Sequence, residues 1–228
     1  MNRVKKMIEI IALAIFATCV IWFLPLFYTR CTSMKVTGAI DKSCYRQLNC
    51  PDGYYNQLGT LFFNPLGSVG LNLLYWEDIA SFDAGTMAVA GLTYHVLLLL
   101  LFGSSISMGI FIPLLYIGAC YGRACAILVL KNADILVEDQ HKNAFVTTYT
   151  MVSSVALLAG VARVLISLTV IMMCSVGITY MVTPFMVATL FAKVVGKAVF
   201  GRPGIYDVIL EMRVRSFNLL QFFSLPIE

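Results

Sequence analysis

Charge is scarce in this chain. Only 12% of its 228 residues are Asp, Glu, Lys or Arg, about half the ~25% share of an ordinary soluble domain. So few charges cannot cover a water-soluble globule. The balance is a formal +4, too small to imply a polyanionic partner, and most of the excess lies near the two ends; a nucleic-acid binder is excluded. The sequence has no tandem repeat, low-complexity tract or linker, which excludes a disordered tail. It also lacks a metal-ligand cluster, a nucleophilic triad and a phosphate loop. No enzymatic reaction and no cofactor or metal is expected.

What is present is apolar surface. Hydrophobic residues make up 60% of the chain and the mean hydropathy is +0.86. The expected class is therefore an all-α integral membrane protein whose partner is the lipid bilayer. Residues 10–29 carry no charge, and 20 residues at ~1.5 Å rise span the ~30 Å hydrocarbon core. Arg3, Lys5 and Lys6 precede this run, which puts the N-terminus in the cytoplasm. The run exceeds the ~7–15 residues of a signal-peptide core and no small-residue cleavage site follows, so it is read as a span.

Residues 30–57 turn polar and form the expected non-cytoplasmic loop. Residues 53–76 are again uncharged, broken by Asn64-Pro65 and Gly67. A short acidic turn runs from Asp78 to Asp83. Residues 84–122 carry only His95 as a possible charge before Arg123, and are too long for one span. Residues 131–142 are a polar connector. Residues 143–192 are apolar except for Arg163, are divided late by Pro184, and fit two or three helices. The tail from Lys193 holds Lys197, Arg202, Arg213 and Arg215 and reads as cytoplasmic.

Cys31, Cys44 and Cys50 fall in the polar loop, on a disulfide-permissive side. One bridge with an odd thiol left over, or three free thiols, both fit. Cys19, Cys120, Cys125 and Cys174 lie in apolar stretches as small packing residues.

The chemistry is expected where a helix is interrupted. Gly109-Ile110-Phe111-Ile112-Pro113 sits inside an apolar block and leads into a helical pattern over 114–130. Backbone that leaves helical geometry at membrane depth is tolerated only where protein or a water-filled cavity surrounds it. Pro113 suits the first turn of the following helix, having no N–H to orphan. The amides of Ile110 and Phe111 then stand at the positive end of a helix dipole, where an anion is favoured.

The segment from Gly109 to Pro113, followed by Gly118-Ala119 and Gly122-Arg123, resembles the GxFxP…GAxxGR motif of the CLC chloride channels and chloride/proton antiporters. The run from Leu165 to Met172 is similar to that family's LSLTVIM helix. Ala192-Lys193-Val194-Val195-Gly196 with Gly204-Ile205-Tyr206-Asp207 is similar to its AKxVGD…GIYD end. Cys50-Pro51-Asp52-Gly53-Tyr54-Tyr55-Asn56 and Thr60-Leu61-Phe62-Phe63-Asn64 most resemble the endosomal and lysosomal branch. The likeness spans nearly the whole chain.

It implies a CLC-type half, residues 1–228 as a partial membrane domain with tilted and broken helices: the second inverted repeat plus the last helix. The first repeat, with its GSGIP and GKEGP segments and the gating and proton-transfer glutamates, is not represented. Neither is a pair of CBS domains. The resemblance implies that the central anion is held by main-chain amides of the segment from Gly109 through Ile110 and Phe111 to Pro113, joined by the Tyr206 hydroxyl. Neutral donors hold an anion without trapping it. One departure is a connection from Gly196 to Gly204 about two residues longer than the family's, with Lys197 for its Asp, which allows a displaced final helix.

Other residues read as structural. Gly118 and Gly122 form a small-residue packing face. Arg163 caps a helix–helix turn. Cys174 replaces a customary acidic residue. His95 is a satisfied buried histidine. Two functions follow: chloride transport across a membrane, with pairing as a homodimer or with the missing repeat, in an endosomal, lysosomal or vacuolar membrane; or a truncated, non-transporting subunit that only associates with full-length partners.

Overall fold

The computed structural model describes residues 3–33, 44–67, 75, 81–102, 109–132, 142–177, 179–201, 204–211 and 214. The expectations on Asp41, Asp78, Arg202, Arg213 and Arg215, and most of the 131–142 connector, lie outside them. The chain divides into two compact units, Met1–Ser154 and Val155–Glu228.

In the first unit, α1 (Arg3–Phe27) leads through a short hairpin, β1 (Cys31–Ser33) and β2 (Tyr54–Asn56), to α2 (Gln57–Phe62). Two long helices follow, α3 (Ala84–Phe102) and α4 (Phe111–Asn132), and then α5 (Lys142–Ala162), whose Ser154–Val155 bond is the boundary between units. The second unit adds α6 (Ile166–Val176), a 3-10 turn (Thr179–Met181), α7 (Val182–Phe200) and a helical segment at 205–211.

Among the described residues, five helices are long and apolar enough to cross a membrane. Almost none of α1 is buried, and Ile8, Ile15, Trp22 and Phe23 face outward. Exposed large side chains in such numbers are stable only against lipid. The chain is a multi-pass membrane protein.

The first span differs in its limits from the 10–29 expected. α1 begins at Arg3 and takes Lys5, Lys6 and Glu9 into its first turns. Charge does not stop a helix there, because long basic side chains extend their heads toward the membrane surface. The uncharged 84–122 region is divided as its length required, between α3 and α4. The 143–192 region holds three α-helices, and Pro184 marks a start rather than a division: it is the third residue of α7, where its missing N–H costs nothing. α6 and α7 end on Gly177 and Gly201, both left-handed (φ 72° and 59°), each amide returning to a carbonyl of the last turn.

The polar loop is a built structure. Cys31 lies opposite Asn56, Thr32 opposite Tyr55 and Ser33 opposite Tyr54. Cys31 is bonded to Cys50, and Cys44 is the odd thiol. Asn56, fully buried, accepts from the Leu58 and Gly59 amides and so caps α2. Its Nδ2 donates to Pro25 O at 3.1 Å and Leu48 O at 3.2 Å. Gln57 donates to Thr32 Oγ1 at 2.6 Å and accepts from the Asp83 amide at 3.0 Å. One side chain thus joins the hairpin to the residue that opens α3.

α3 and α4 make the most extensive helix–helix contact. α5 lies so close to α4 that a Cβ on Gly122 would meet Ser153 Oγ at 1.6 Å. Gly122 therefore acts in packing, as its spacing predicted, and the Gly118 carbonyl accepts from Ser153 Oγ at the same seam. Arg123 is fully buried, its guanidinium 5.7 Å from the Phe82 ring centroid. The reading of the four cysteines in apolar stretches as small packing residues needs correction for three of them. Cys19, Cys125 and Cys174 are exposed and only Cys120 is buried. An apolar neighbourhood in sequence fixes the solvent a helix meets, and a helix in lipid keeps an apolar outer face. His95, expected to be buried and satisfied, has a partner, with Nδ1 3.3 Å from the Tyr121 hydroxyl, but is only half-buried.

Candidate anion site

α3 ends at Phe102 and α4 begins at Phe111; Gly109 and Ile110 between them are not helical. The first helical hydrogen bond runs from the Leu114 amide to Ile110 O at 3.2 Å. The helix therefore opens three residues before the 114 expected, with Phe111, Ile112 and Pro113 already in its first turn. The reason is the proline: its fixed φ is helical, and its missing N–H falls where no intrahelical acceptor exists. Sequence reasoning placed Pro113 in a first turn but assigned that turn too late.

The consequence for chemistry is specific. The N–H groups of Ile110, Phe111 and Ile112 have no acceptor within the helix. A 22-residue helix stands behind them, with its positive dipole end at this point. Ile110 and Phe111 are half-buried and Gly109 is exposed. A Cβ on Gly109 would meet nothing within 4 Å, so the space beside the break is open.

Tyr206 belongs to the second unit, whereas Gly109, Ile110, Phe111 and Pro113 belong to the first. It lies in the helical segment 205–211 and is 45% exposed. Gly204 opens that segment: its carbonyl accepts the Val208 amide at 3.0 Å, and its own amide donates to Asp207 Oδ2 at 3.2 Å. The acid three residues into the helix thus reaches back to the cap, as in a capping box. Gly204 also sits against the turn between α5 and α6, where an added Cβ would meet Ala162 O at 3.1 Å and Arg163 Cβ at 3.2 Å. The longer connection from Gly196 still brings the segment onto that turn.

Arg163 holds the same turn. Its φ is +57°, an uncommon value for a side-chain-bearing residue, and its guanidinium donates to Gly196 O at 3.1 Å in α7. Across this crossing, a Cβ on Gly196 would lie 3.3 Å from Gly160 O. The turn-capping role expected of Arg163 is what the second unit displays.

Sequence reasoning missed two buried side chains, Asn56 at the start of α2 and Tyr116 in α4. Tyr116 is fully buried and donates to Leu61 O at 3.2 Å. Asn56 had a readable signal, an Asn directly before a helix. Tyr116 had none, because an aromatic residue inside an apolar helix looks the same whether or not its hydroxyl has a partner.

The family model for voltage gated chloride channels matches residues 1–197. The chain is 28% identical to chloride channel protein CLC-b of Arabidopsis thaliana over 220 residues, 93% of this chain and 26% of that protein. It is 32% identical to H(+)/Cl(-) exchange transporter 7 of Mus musculus over 169 residues, 73% of this chain and 20% of that protein. Chloride channel protein A of Dictyostelium discoideum is 31% identical over 171 residues, 74% of this chain and 18% of that protein. The chain thus spans about a quarter or less of the length of these relatives. With the family model covering most of its length, and the interrupted helix standing where the GxFxP motif falls, the chain belongs to the voltage-gated chloride channel (CLC) family.

Proposed function

We propose that this chain contributes part of an anion pathway across a membrane, with chloride as the transported ion. The observation that carries the reading is the start of α4: amides at Ile110 and Phe111 with no helical acceptor, at the positive end of a long apolar helix, beside open space at Gly109. Relatives described as chloride channels and as a proton/chloride exchanger support chloride as the anion. The Tyr206 hydroxyl is the proposed third donor. All three groups are neutral, which suits an ion that must leave as readily as it enters. The full pathway is proposed to form with a first inverted repeat or in a homodimer, in an endosomal, lysosomal or vacuolar membrane.

The test is chloride efflux from liposomes holding the purified chain, alone and co-expressed with a first CLC repeat. Efflux above empty liposomes, with anion selectivity altered by Tyr206→Phe, supports the reading. No efflux in either preparation defeats it and leaves a subunit that only associates. Selectivity unchanged in Tyr206→Phe removes Tyr206 from the site and leaves the amides.

A further inference from the structure

The first turns of α4 rest on α2 and on the residues just after it. The Tyr116 hydroxyl reaches Leu61 O, in the last turn of α2, where a helix leaves its carbonyls without intrahelical partners. The Tyr116 ring meets Tyr94 edge-on at 5.1 Å between centroids, and Tyr94 meets Phe62 edge-on at 5.3 Å. The first turn of α4 faces Gly67, where an added Cβ would stand 3.4 Å from Ile112 Cδ1, so a larger side chain there would reach that turn.

α2 itself is held from the other side. Asn56 ties its start to the Pro25 and Leu48 carbonyls, the Arg46 amide donates to Thr60 Oγ1 at 3.1 Å, and Asn64 donates to Cys44 O at 2.6 Å. Cys44, Arg46 and Leu48 lie in the loop closed by the Cys31–Cys50 bond, and Pro25 lies in α1.

We propose that α2 is a strut that sets the depth and rotation of the anion-binding end of α4, with Tyr116 as the positioning residue. This rests on the reading of the Ile110 and Phe111 amides as anion donors. Tyr116 lies about 7.5 Å along the axis from Phe111 at ~1.5 Å per residue, a distance over which a helix moves as a rigid rod. The acceptor is a backbone carbonyl and cannot rotate away. The phenol ring has few torsions and is wedged against Tyr94. A slide or roll of α4 therefore stretches the hydroxyl bond. Volume alone does not need a tyrosine, because phenylalanine would fill the same space.

Tyr116→Phe isolates the hydroxyl, and two readouts on the reconstituted full chain separate the possible causes. Chloride affinity is read from chloride-35 line broadening, and local order from hydrogen exchange of peptides covering 110–116 and, as a control, α7. The expected result is a loss of chloride affinity of about fivefold, the ratio carried by one net hydrogen bond. Faster exchange should be confined to 110–116. Gly67→Leu should weaken chloride in the same way by crowding Ile112, and Ile112→Ala added to it should restore affinity. Wild-type affinity in Tyr116→Phe overturns the strut while leaving the anion site standing. So does acceleration spread evenly along the chain, or failure of the Ile112→Ala rescue. A wild-type chain that binds no chloride overturns the site reading, and the strut's role falls with it.

Discussion

Ser153 Oγ donates to the carbonyl of Gly118 at 2.8 Å, across the seam where α5 crosses α4. The bond exists because Gly122, one turn on, has no side chain: a Cβ there would stand 1.6 Å from the same oxygen and 3.0 Å from the Tyr149 carbonyl. Close approach comes first and the hydrogen bond follows from it. In lipid, where burial of apolar surface gives helices little reason to associate, such contacts carry much of the helix–helix affinity.

Gly122→Ala should therefore lower stability by about 1–3 kcal/mol, the usual cost of overpacking. A detergent melting curve should show a clear drop. Gly109→Ala is the matched control, since its Cβ meets open space, and its melting temperature should stay at the wild-type value. Equal melting of both variants would show that the α4–α5 seam is not closely packed.

Asn56 separates two functions in one side chain. Asn56→Asp keeps the acceptor for the Leu58 and Gly59 amides but loses the donor to Pro25 O and Leu48 O. Asn56→Ala loses both. Because an aspartate would set a carboxylate oxygen against both carbonyls in a fully buried site, the expected order of stability is wild type, then Ala, then Asp, with the alanine variant down by about 2 kcal/mol from the lost cap and the unpaired carbonyls. Chemical denaturation in mild detergent measures it. An aspartate variant as stable as wild type would show that the ties to α1 and the loop contribute nothing.

The loop cysteines give a count and a side. Maleimide labelling without reductant should modify Cys44 and spare Cys31 and Cys50. Cys31→Ser should cost about 3 kcal/mol on the chain-entropy estimate for a closed loop of this size. If the N-terminus lies in the cytoplasm, an impermeant maleimide should reach Cys44 from the non-cytoplasmic side; labelling only from the cytoplasm would reverse the topology.

Gly204 links the turn between α5 and α6 to the segment carrying Tyr206. Gly204→Ala places a methyl 3.1 Å from Ala162 O, so the segment must shift by a few tenths of an ångström. If Tyr206 is an anion donor, this variant should change the chloride-to-nitrate flux ratio in liposomes while Asp207→Asn, which keeps an acceptor for the Gly204 amide, leaves it near wild type. Identical ratios in all three would argue that Tyr206 lies outside the pathway.

Sequence alone determined the solvent, the class and the family. The scarcity of charge required lipid, and the length of the uncharged 84–122 run required a break. Gly109 to Pro113 located that break within two or three residues, because a proline suits the first turn of a helix. These are local properties of composition, length and backbone chemistry, readable without knowing what packs where.

Which groups meet was decided only by the tertiary structure. Three loop cysteines fitted one bridge or none, and the folded loop bonds Cys31 to Cys50 and leaves Cys44 free. Tyr116 looked like any aromatic residue in an apolar helix until α2 placed the Leu61 carbonyl at its hydroxyl. Cys125 and Cys174, apolar in context, proved to lie on outer faces. In a membrane chain the inner and outer faces of a helix are both apolar, so the hydrophobic pattern that marks the core of a soluble protein is absent, and close packing alone sets the facing.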